Sequence, residues 1–362
     1  MAELQVTTSS GAYPVSIEAG LLGRVPGRLR RRAGASKMLV IGDSTTIPMF
    51  GSSLAEVLGA SHWAVAAGES SKSWEALEEG CRQCLEAGLD RGSTIVAVGG
   101  GVVGDLAGVI AALYLRGIRL VHVPTTLLAM VDSSIGGKAA IDLPEGKNLV
   151  GVFKPPDAVY IDPELLHSLP DREYRGGLAE VLKYSMIADE QLYDSLLANR
   201  QKMLEKDIDL LTDVVTTCCA IKAGVVSRDE REMGERAILN YGHTFGHALE
   251  AATGYQRLTH GEAVAVGMAV AAEVGVGMGV TPAGVSARQA ELLSAYELPQ
   301  SAPGLATVAE TVGLIAHDKK NRDGATPWVL LDRIGHATIG HPVDAAVLER
   351  AASRVLGAGE LG

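Results

Sequence analysis

The sequence predicts an N-terminal α/β domain built on a parallel sheet, followed by a mainly α-helical C-terminal domain. Three patterns carry that prediction. Through the first 165 residues, short apolar runs ending in Gly, Asp or Pro turns alternate with amphipathic stretches, as buried parallel strands joined by helices do. From residue 163 onward, 3.6-period segments dominate, at 173–187, 190–205, 207–228, 235–252, 262–278 and 285–296. Strand signals return only at 328–331 and 336–339. A chain of 362 residues suggests two domains, and the expected division is 1–165 and 166–362.

In order along the chain, 4–8 and 13–18 read as a strand pair around a Ser-Ser-Gly-Ala turn. A helix over 21–32 follows, carrying Arg24, Arg28, Arg30, Arg31 and Arg32, a pattern read as a solvated face. The run 38–43 ends in Gly42-Asp43 and reads as a buried strand with a functional turn at its carboxyl end. A strand at 62–67 leads into Gly68-Glu69-Ser70-Ser71-Lys72, and then a helix at 73–87. The strand 94–98 runs into Gly99-Gly100-Gly101-Val102-Val103-Gly104-Asp105 and a helix at 106–115. Glycines in that loop remove Cβ atoms, so backbone N–H groups at a helix start can approach a pyrophosphate. The loop is neither G-x-G-x-x-G nor a Walker motif, and a tight βα turn is its plainer explanation. The repeated strand–helix alternation favours a Rossmann-like nucleotide site at the strand ends. After a strand at 120–123 come Pro124-Thr125-Thr126, Asp132 to Gly137 with Lys138, and Gly146-Lys147-Asn148. Two lysines among glycines suit a phosphate or polyol pocket.

Composition narrows the function. Hydrophobic residues make up 47% of the chain, enough for substantial cores, and the net charge of −11 argues against a general nucleic-acid binder. Cys81, Cys84, Cys218 and Cys219 lack zinc-ribbon spacing and read as reduced structural thiols of a cytoplasmic protein. No basic-then-apolar leader and no apolar run of transmembrane length is evident, so no membrane association is expected.

The strongest chemical signal lies in Asn240-Tyr241-Gly242-His243-Thr244-Phe245-Gly246-His247. Histidines four apart share a helix face and are a common way to hold a transition metal. His260, in Thr259-His260-Gly261-Glu262, and Glu180, in an apolar helical run, complete a set that could converge on one ion. Spacing alone makes both His243 and His247 ligands.

Taken with Gly177-Leu178-Ala179-Glu180 and Asp318-Lys319-Lys320, these motifs span most of the chain in the order of one family. The chain resembles the 3-dehydroquinate synthases of the sugar-phosphate cyclase superfamily. The resemblance implies a dehydroquinate synthase-like fold, NAD, one divalent metal (zinc or cobalt), a homodimer, and a small sugar phosphate as substrate. That substrate would be 3-deoxy-D-arabino-heptulosonate 7-phosphate, converted to 3-dehydroquinate and phosphate in the shikimate pathway. It also implies the roles. Glu180, His243 and His260 would hold the metal, with His247 facing substrate instead. Asp43, Glu69, Lys72, Gly101, Val102, Val103, Gly104, Asp105, Thr125, Thr126 and Asp132 would contact NAD. Lys138 and Lys147 would serve both cofactor and catalysis, joined in catalysis by Lys183, Asn240 and His247. Asn148 and Arg116, the latter reaching from a partner subunit, would bind phosphate, and Lys222, Arg236 and Lys319 the substrate carboxylate.

The chain departs from the family pattern at Ala139, where Thr is common, at Ser185, where Gly is usual, and at Thr259, where Leu is usual. An amino-dehydroquinate synthase or another cyclase of secondary metabolism is the alternative, and a metal-dependent polyol dehydrogenase is a more distant one.

Overall fold

The computed structural model describes residues 1–34, 36–316 and 327–357. The first half alternates as its apolar runs require: β1 (Ala2–Thr8), β2 (Gly11–Ile17), α1 (Val25–Ala33), β3 (Met38–Asp43), α2 (Ser52–Leu58), β4 (Ser61–Val65), α3 (Trp74–Glu86), β5 (Thr94–Gly99), α4 (Gly101–Leu113), β6 (Arg119–Pro124), β7 (Lys138–Leu143), β8 (Gly146–Phe153) and β9 (Ala158–Ile161). The second half is helical: α5 (Asp171–Ala188), α6 (Glu190–Ala198), α7 (Arg200–Leu204), α8 (Ile208–Arg228), α9 (His243–Ala252), α10 (His260–Gly277), α11 (Ala283–Ala295), α12 (Val308–Ala316) and α13 (Ala345–Leu356), with the hairpin β10 (Pro327–Arg333) and β11 (His336–Pro342) before the last helix.

Seven strands form one sheet in the order β1-β2-β9-β6-β5-β3-β4. All neighbours are parallel except β1 and β2, which pair antiparallel at one edge. Side chains alternate between its faces, as the two-residue period of a strand demands. Leu39, Ile41, Ile95, Ala97 and Leu120 join Leu77, Val103, Leu106 and Ile110 on one side. Val40, Val96, Val98, Val121 and Val123 join Val25, Leu29 and Leu54 on the other. The order reverses between β3 and β5, since β4 lies beyond β3 and β6 beyond β5. Ligands of open α/β sheets bind at the carboxyl ends of strands flanking such a switch.

The chain divides into two compact units, Met1–Leu169 with Ile208–Glu230, and Pro170–Asp207 with Arg231–Gly362. The expected boundary at 165 therefore needs correction for α8, which belongs with the first unit. Its apolar face, Leu211, Val214, Val215, Cys218, Val225 and Val226, is buried there. Cys219 Sγ donates to the Met130 carbonyl at 3.3 Å. Helical periodicity shows that a face is buried but not what buries it. α8 also corrects the expectation about membrane-length runs, being long and apolar enough by length and composition to span one; here those apolar residues are core.

Three further corrections are local. The segment 235–252 is two elements, a short 3-10 helix Glu235–Asn240 and then α9, broken at Gly242 with φ +79°. The segment 190–205 breaks at Asn199 into α6 and α7. The stretch from Lys138 to Phe153, where the sequence predicts no strand, contains β7 and β8, a separate antiparallel pair. Ala139 is explained there: a Cβ added to Gly108 would stand 2.6 Å from the Ala139 Cβ, so α4 packs directly against β7 at this point.

One core residue makes stability depend on pH. Burial pushes the His122 imidazole on β6 down to about 4, against an ordinary 6.5. Between those values the unfolded chain holds a proton that the native chain excludes, so this contribution is full above pH 6.5 and is lost as pH falls. The parent will lose about 2 kcal/mol more stability than His122→Asn between pH 7.5 and pH 5, measured by urea unfolding.

Candidate functional site

In the first unit the cofactor residues named from the sequence gather at strand carboxyl ends. β3 ends in Asp43, whose Oδ1 accepts from the amides of Thr45 at 2.8 Å and Thr46 at 2.7 Å. After β4 comes Glu69, after β5 the glycine loop, and after β6 Thr125 and Thr126. α4 begins at Gly101, and Gly100 before it provides no side-chain cap. The leading amides of a helix have no partners within it, so those of Gly101, Val102 and Val103 suit an anion. The glycines also keep this turn close: a Cβ on Gly100 would lie 3.1 Å from the Thr126 methyl, and one on Gly101 3.2 Å from Ser133 Oγ. An uncapped helix start at a sheet switch point fits a dinucleotide.

Lys72 is the hub of this region. Its buried ammonium meets Asp105 at 2.8 Å, Glu69 at 3.3 Å and Asp142 at 3.7 Å, and it also donates to Asn148 Oδ1. Burial alone would lower this ammonium, yet the carboxylates of Asp105, Glu69 and Asp142 outweigh it and hold it above its ordinary value. Asp105 responds oppositely: burial pushes its carboxyl up to about 6 despite Lys72. Asn148 has φ +56° and donates its amide to Asp142 Oδ1 at 2.7 Å, which holds this strained turn. Lys147 Nζ lies 3.8 Å from Glu69. Lys222 Nζ meets Asp132 Oδ1 at 2.5 Å and its carbonyl at 2.7 Å, so a residue assigned to substrate and one assigned to NAD are joined to each other. Lys138 is exposed at the start of β7, and Arg116 is exposed on a turn where Leu115 and Arg116 are both left-handed, φ +51° and +67°.

In the second unit, helix packing builds the other half of the chemistry. α10 crosses α5 and α9 almost backbone to backbone. A Cβ on Gly261 would stand 1.9 Å from the Gly176 carbonyl oxygen, and one on Gly267 would stand 1.9 Å from that of Gly242. Gly246 likewise faces the Ala263 carbonyl at 3.0 Å. The glycines before His243 and His247 are thus contact points that let α9 meet α10. The start of α10 is fixed by a capping box: Thr259 Oγ1 accepts from the Glu262 amide at 3.3 Å, and Glu262 Oε2 accepts from the Thr259 amide at 2.7 Å. Arg172 grips the same carboxylate through Nε at 2.9 Å and Nη2 at 2.8 Å. The departure from Leu at Thr259 therefore supplies a cap, and the helix begins at His260 instead of Glu262. Thr259→Leu will lower stability by about 1 kcal/mol in urea unfolding.

These crossings bring Glu180, His243 and His260 together. Glu180 is fully buried, and among the described residues its carboxylate oxygens have no hydrogen-bond partner of good geometry, Lys183 meeting Oε2 as an ion pair. Its Oε1 lies 3.5 Å from His243 Nε2 and 3.8 Å from His260 Nε2, and Oε2 touches Lys183 Nζ. Two donors each about 2.1 Å from one tetrahedral ion stand about 3.4 Å apart, so these separations fit a divalent metal. Burial pushes the His243 imidazole well below its ordinary value, with help from Lys183, His247 and His260. A neutral imidazole is the form that binds metal. His247 is exposed, its ring 5.2 Å from that of His243; the nitrogens of His243, His247 and His260 all lie within 4.8 Å, so distance alone also admits His247 as a donor. Asn240 Nδ2 donates to Glu232 Oε1 at 2.5 Å, a partner the sequence did not reveal. Arg236 is buried. Lys319 lies outside the described residues.

Fold and site define a two-unit protein, with a dinucleotide-type α/β unit and a helical unit shaped for a divalent metal. Models of the 3-dehydroquinate synthase N-terminal and C-terminal regions match residues 62–176 and 177–321. A 3-dehydroquinate synthase of Geotalea uraniireducens (strain Rf4) is 47% identical over 293 residues, 81% of this chain and 80% of that protein. The structure of a 2-deoxy-scyllo-inosose synthase complexed with carbaglucose-6-phosphate, NAD+ and Co2+ superposes with a TM-score of 0.90 at 28% identity, covering 98% of this chain and 100% of that one. A 2-epi-5-epi-valiolone synthase from Streptomyces hygroscopicus subsp. jinggangensis 5008 with NAD+ and Zn2+ bound gives 0.86 at 27% identity, covering 98% of each chain. The chain belongs to the 3-dehydroquinate synthase family.

Proposed function

We propose that the chain converts 3-deoxy-D-arabino-heptulosonate 7-phosphate to 3-dehydroquinate and phosphate in the shikimate pathway, using NAD and one zinc or cobalt ion. The observation that carries this reading is the buried Glu180 carboxylate, set between two imidazole nitrogens and against Lys183. The name of the Geotalea relative and the NAD+ and metal in the two cyclase structures support it.

When bound, NAD would supply reversible hydride acceptance from the carbon that bears a ring hydroxyl, and an ion held by Glu180, His243 and His260 would make that hydroxyl more acidic. Glu180, His243 and His260 supply three protein donors, the number that leaves room for substrate oxygens. Lys183, one turn beyond Glu180, offsets the buried carboxylate and presents N–H donors to the substrate hydroxyls. Asn240, oriented by Glu232, and the exposed His247 act on the phosphate, as do Lys138 and Asn148. The leaving phosphate can itself carry away the proton from the neighbouring carbon, so His247 positions it and relays protons without being the sole base. Arg236, Lys222 and Lys319 are assigned to the substrate carboxylate, which a guanidinium matches with two parallel hydrogen bonds. Ring opening and intramolecular aldol closure depend mainly on positioning.

On this reading the protein is a carbon–oxygen lyase. NAD is held by Asp43, Glu69, Lys72, the 101–105 turn, Thr125, Thr126, Asp132, Lys138 and Lys147. Arg116, exposed on its strained turn, serves the partner protomer's site in a homodimer. A cytoplasmic setting goes with this reading, in which the cysteines are reduced structural thiols.

The test supplies the sugar phosphate, NAD and zinc, and follows phosphate and NADH together. Phosphate equal to substrate consumed, no accumulating NADH and full loss with a chelator are expected. Net NADH without phosphate would replace this reading with a polyol dehydrogenase, and phosphate from the amino-substituted substrate alone would replace it with an amino-dehydroquinate synthase.

A further inference from the structure

His260 faces a carboxylate on each side of its ring. Nε2 points toward Glu180, while Nδ1 lies 3.3 Å from Oε2 of Glu250 on α9. Glu250 is only 3% exposed. A carboxylate so far from water is costly unless its charge has a fixed task. Its position has a simple origin, since His243, His247 and Glu250 stand at i, i+4 and i+7 on α9, one helix face.

We infer that Glu250 is a positioning residue for the metal site, an inference that rests on the reading of Glu180, His243 and His260 as ligands. A neutral imidazole carries its proton on one nitrogen, and the hydrogen bond made by that nitrogen decides which lone pair is left for a metal. Glu250 accepts a hydrogen bond from the Nδ1–H of His260, which leaves the Nε2 lone pair facing Glu180. His243 is set in the same sense by a weaker acceptor, its Nδ1 meeting the Tyr241 carbonyl at 3.2 Å. One ring is therefore oriented by a backbone oxygen and the other by a buried charge. A carboxylate behind an imidazole fixes the tautomer and strengthens it as a donor, and removing such a partner weakens metal binding by about 10–100-fold.

The test uses the full chain with Glu250→Gln and Glu250→Ala. Zinc affinity is measured by competition with a chromophoric chelator, the cobalt-loaded proteins are compared by visible absorption, and the metal-free proteins are melted to confirm folding. Glu250→Gln keeps an acceptor without the charge, so it is expected to lose less affinity than Glu250→Ala, which should fall by about 10–100-fold, with both cobalt spectra altered. Parent-like zinc affinity and an unchanged cobalt spectrum in Glu250→Gln would overturn the inference, even if its melting temperature fell, because a purely structural role moves only the melt. If the parent itself bound no zinc, the ligand reading would fall and the inference with it.

Discussion

His243→Ala will fold, lose tight zinc binding and release phosphate roughly a thousandfold more slowly than the parent. The expectation follows from what the substitution spares. The Glu180–Lys183 pair stays intact, so no buried charge is left without its partner. The imidazole removed is buried and neutral, so the fold gives up little beyond its packing. What is lost is one of the three proposed donors, and with it a metal effect worth several kcal/mol at a developing alkoxide. Zinc titration and phosphate release would be read on the same preparation. Activity within tenfold of the parent would mean that His243 is not a ligand.

Gly267→Ala will destabilise the protein by about 4 kcal/mol, a larger effect than any surface change. The new methyl would lie 1.9 Å from the Gly242 carbonyl oxygen and 2.8 Å from the Gly246 amide nitrogen, both backbone atoms that cannot swing aside. Relief requires α10 to move off α9, and that movement carries His260 away from His243. Urea unfolding should show a lowered midpoint with an unchanged slope, and zinc affinity should fall in parallel. A loss of less than about 1 kcal/mol would show that the helices tolerate separation.

The same crossing shows what the sequence could and could not disclose. The strands of the first unit were legible because each is a short apolar run closed by a Gly or Asp turn, and their carboxyl-end residues fell where named. Glu180, His243 and His260 were grouped as a set only through family resemblance, since spacing alone makes both His243 and His247 ligands, the two sharing one helix face. The contact between Glu180 and the two imidazoles spans eighty residues and depends on Gly176, Gly242, Gly246, Gly261 and Gly267, whose small size has no visible purpose until the helices meet. Glu250 was within reach, being one helical turn past His247, but a Glu at that spacing is ordinarily a solvated residue. Glu232 was not within reach, because its contact with Asn240 joins a turn to a separate short helix. The placement of α8 was hidden for a related reason: an apolar stripe says that a helix is covered and leaves the covering element open.

The most direct test of the site is anomalous diffraction at the zinc or cobalt edge from crystals grown with that ion. The account predicts one strong peak within about 2.0–2.2 Å of a Glu180 carboxylate oxygen, His243 Nε2 and His260 Nε2, with His247 beyond bonding distance. A peak ligated by His247, with Glu180 outside its shell, would contradict it.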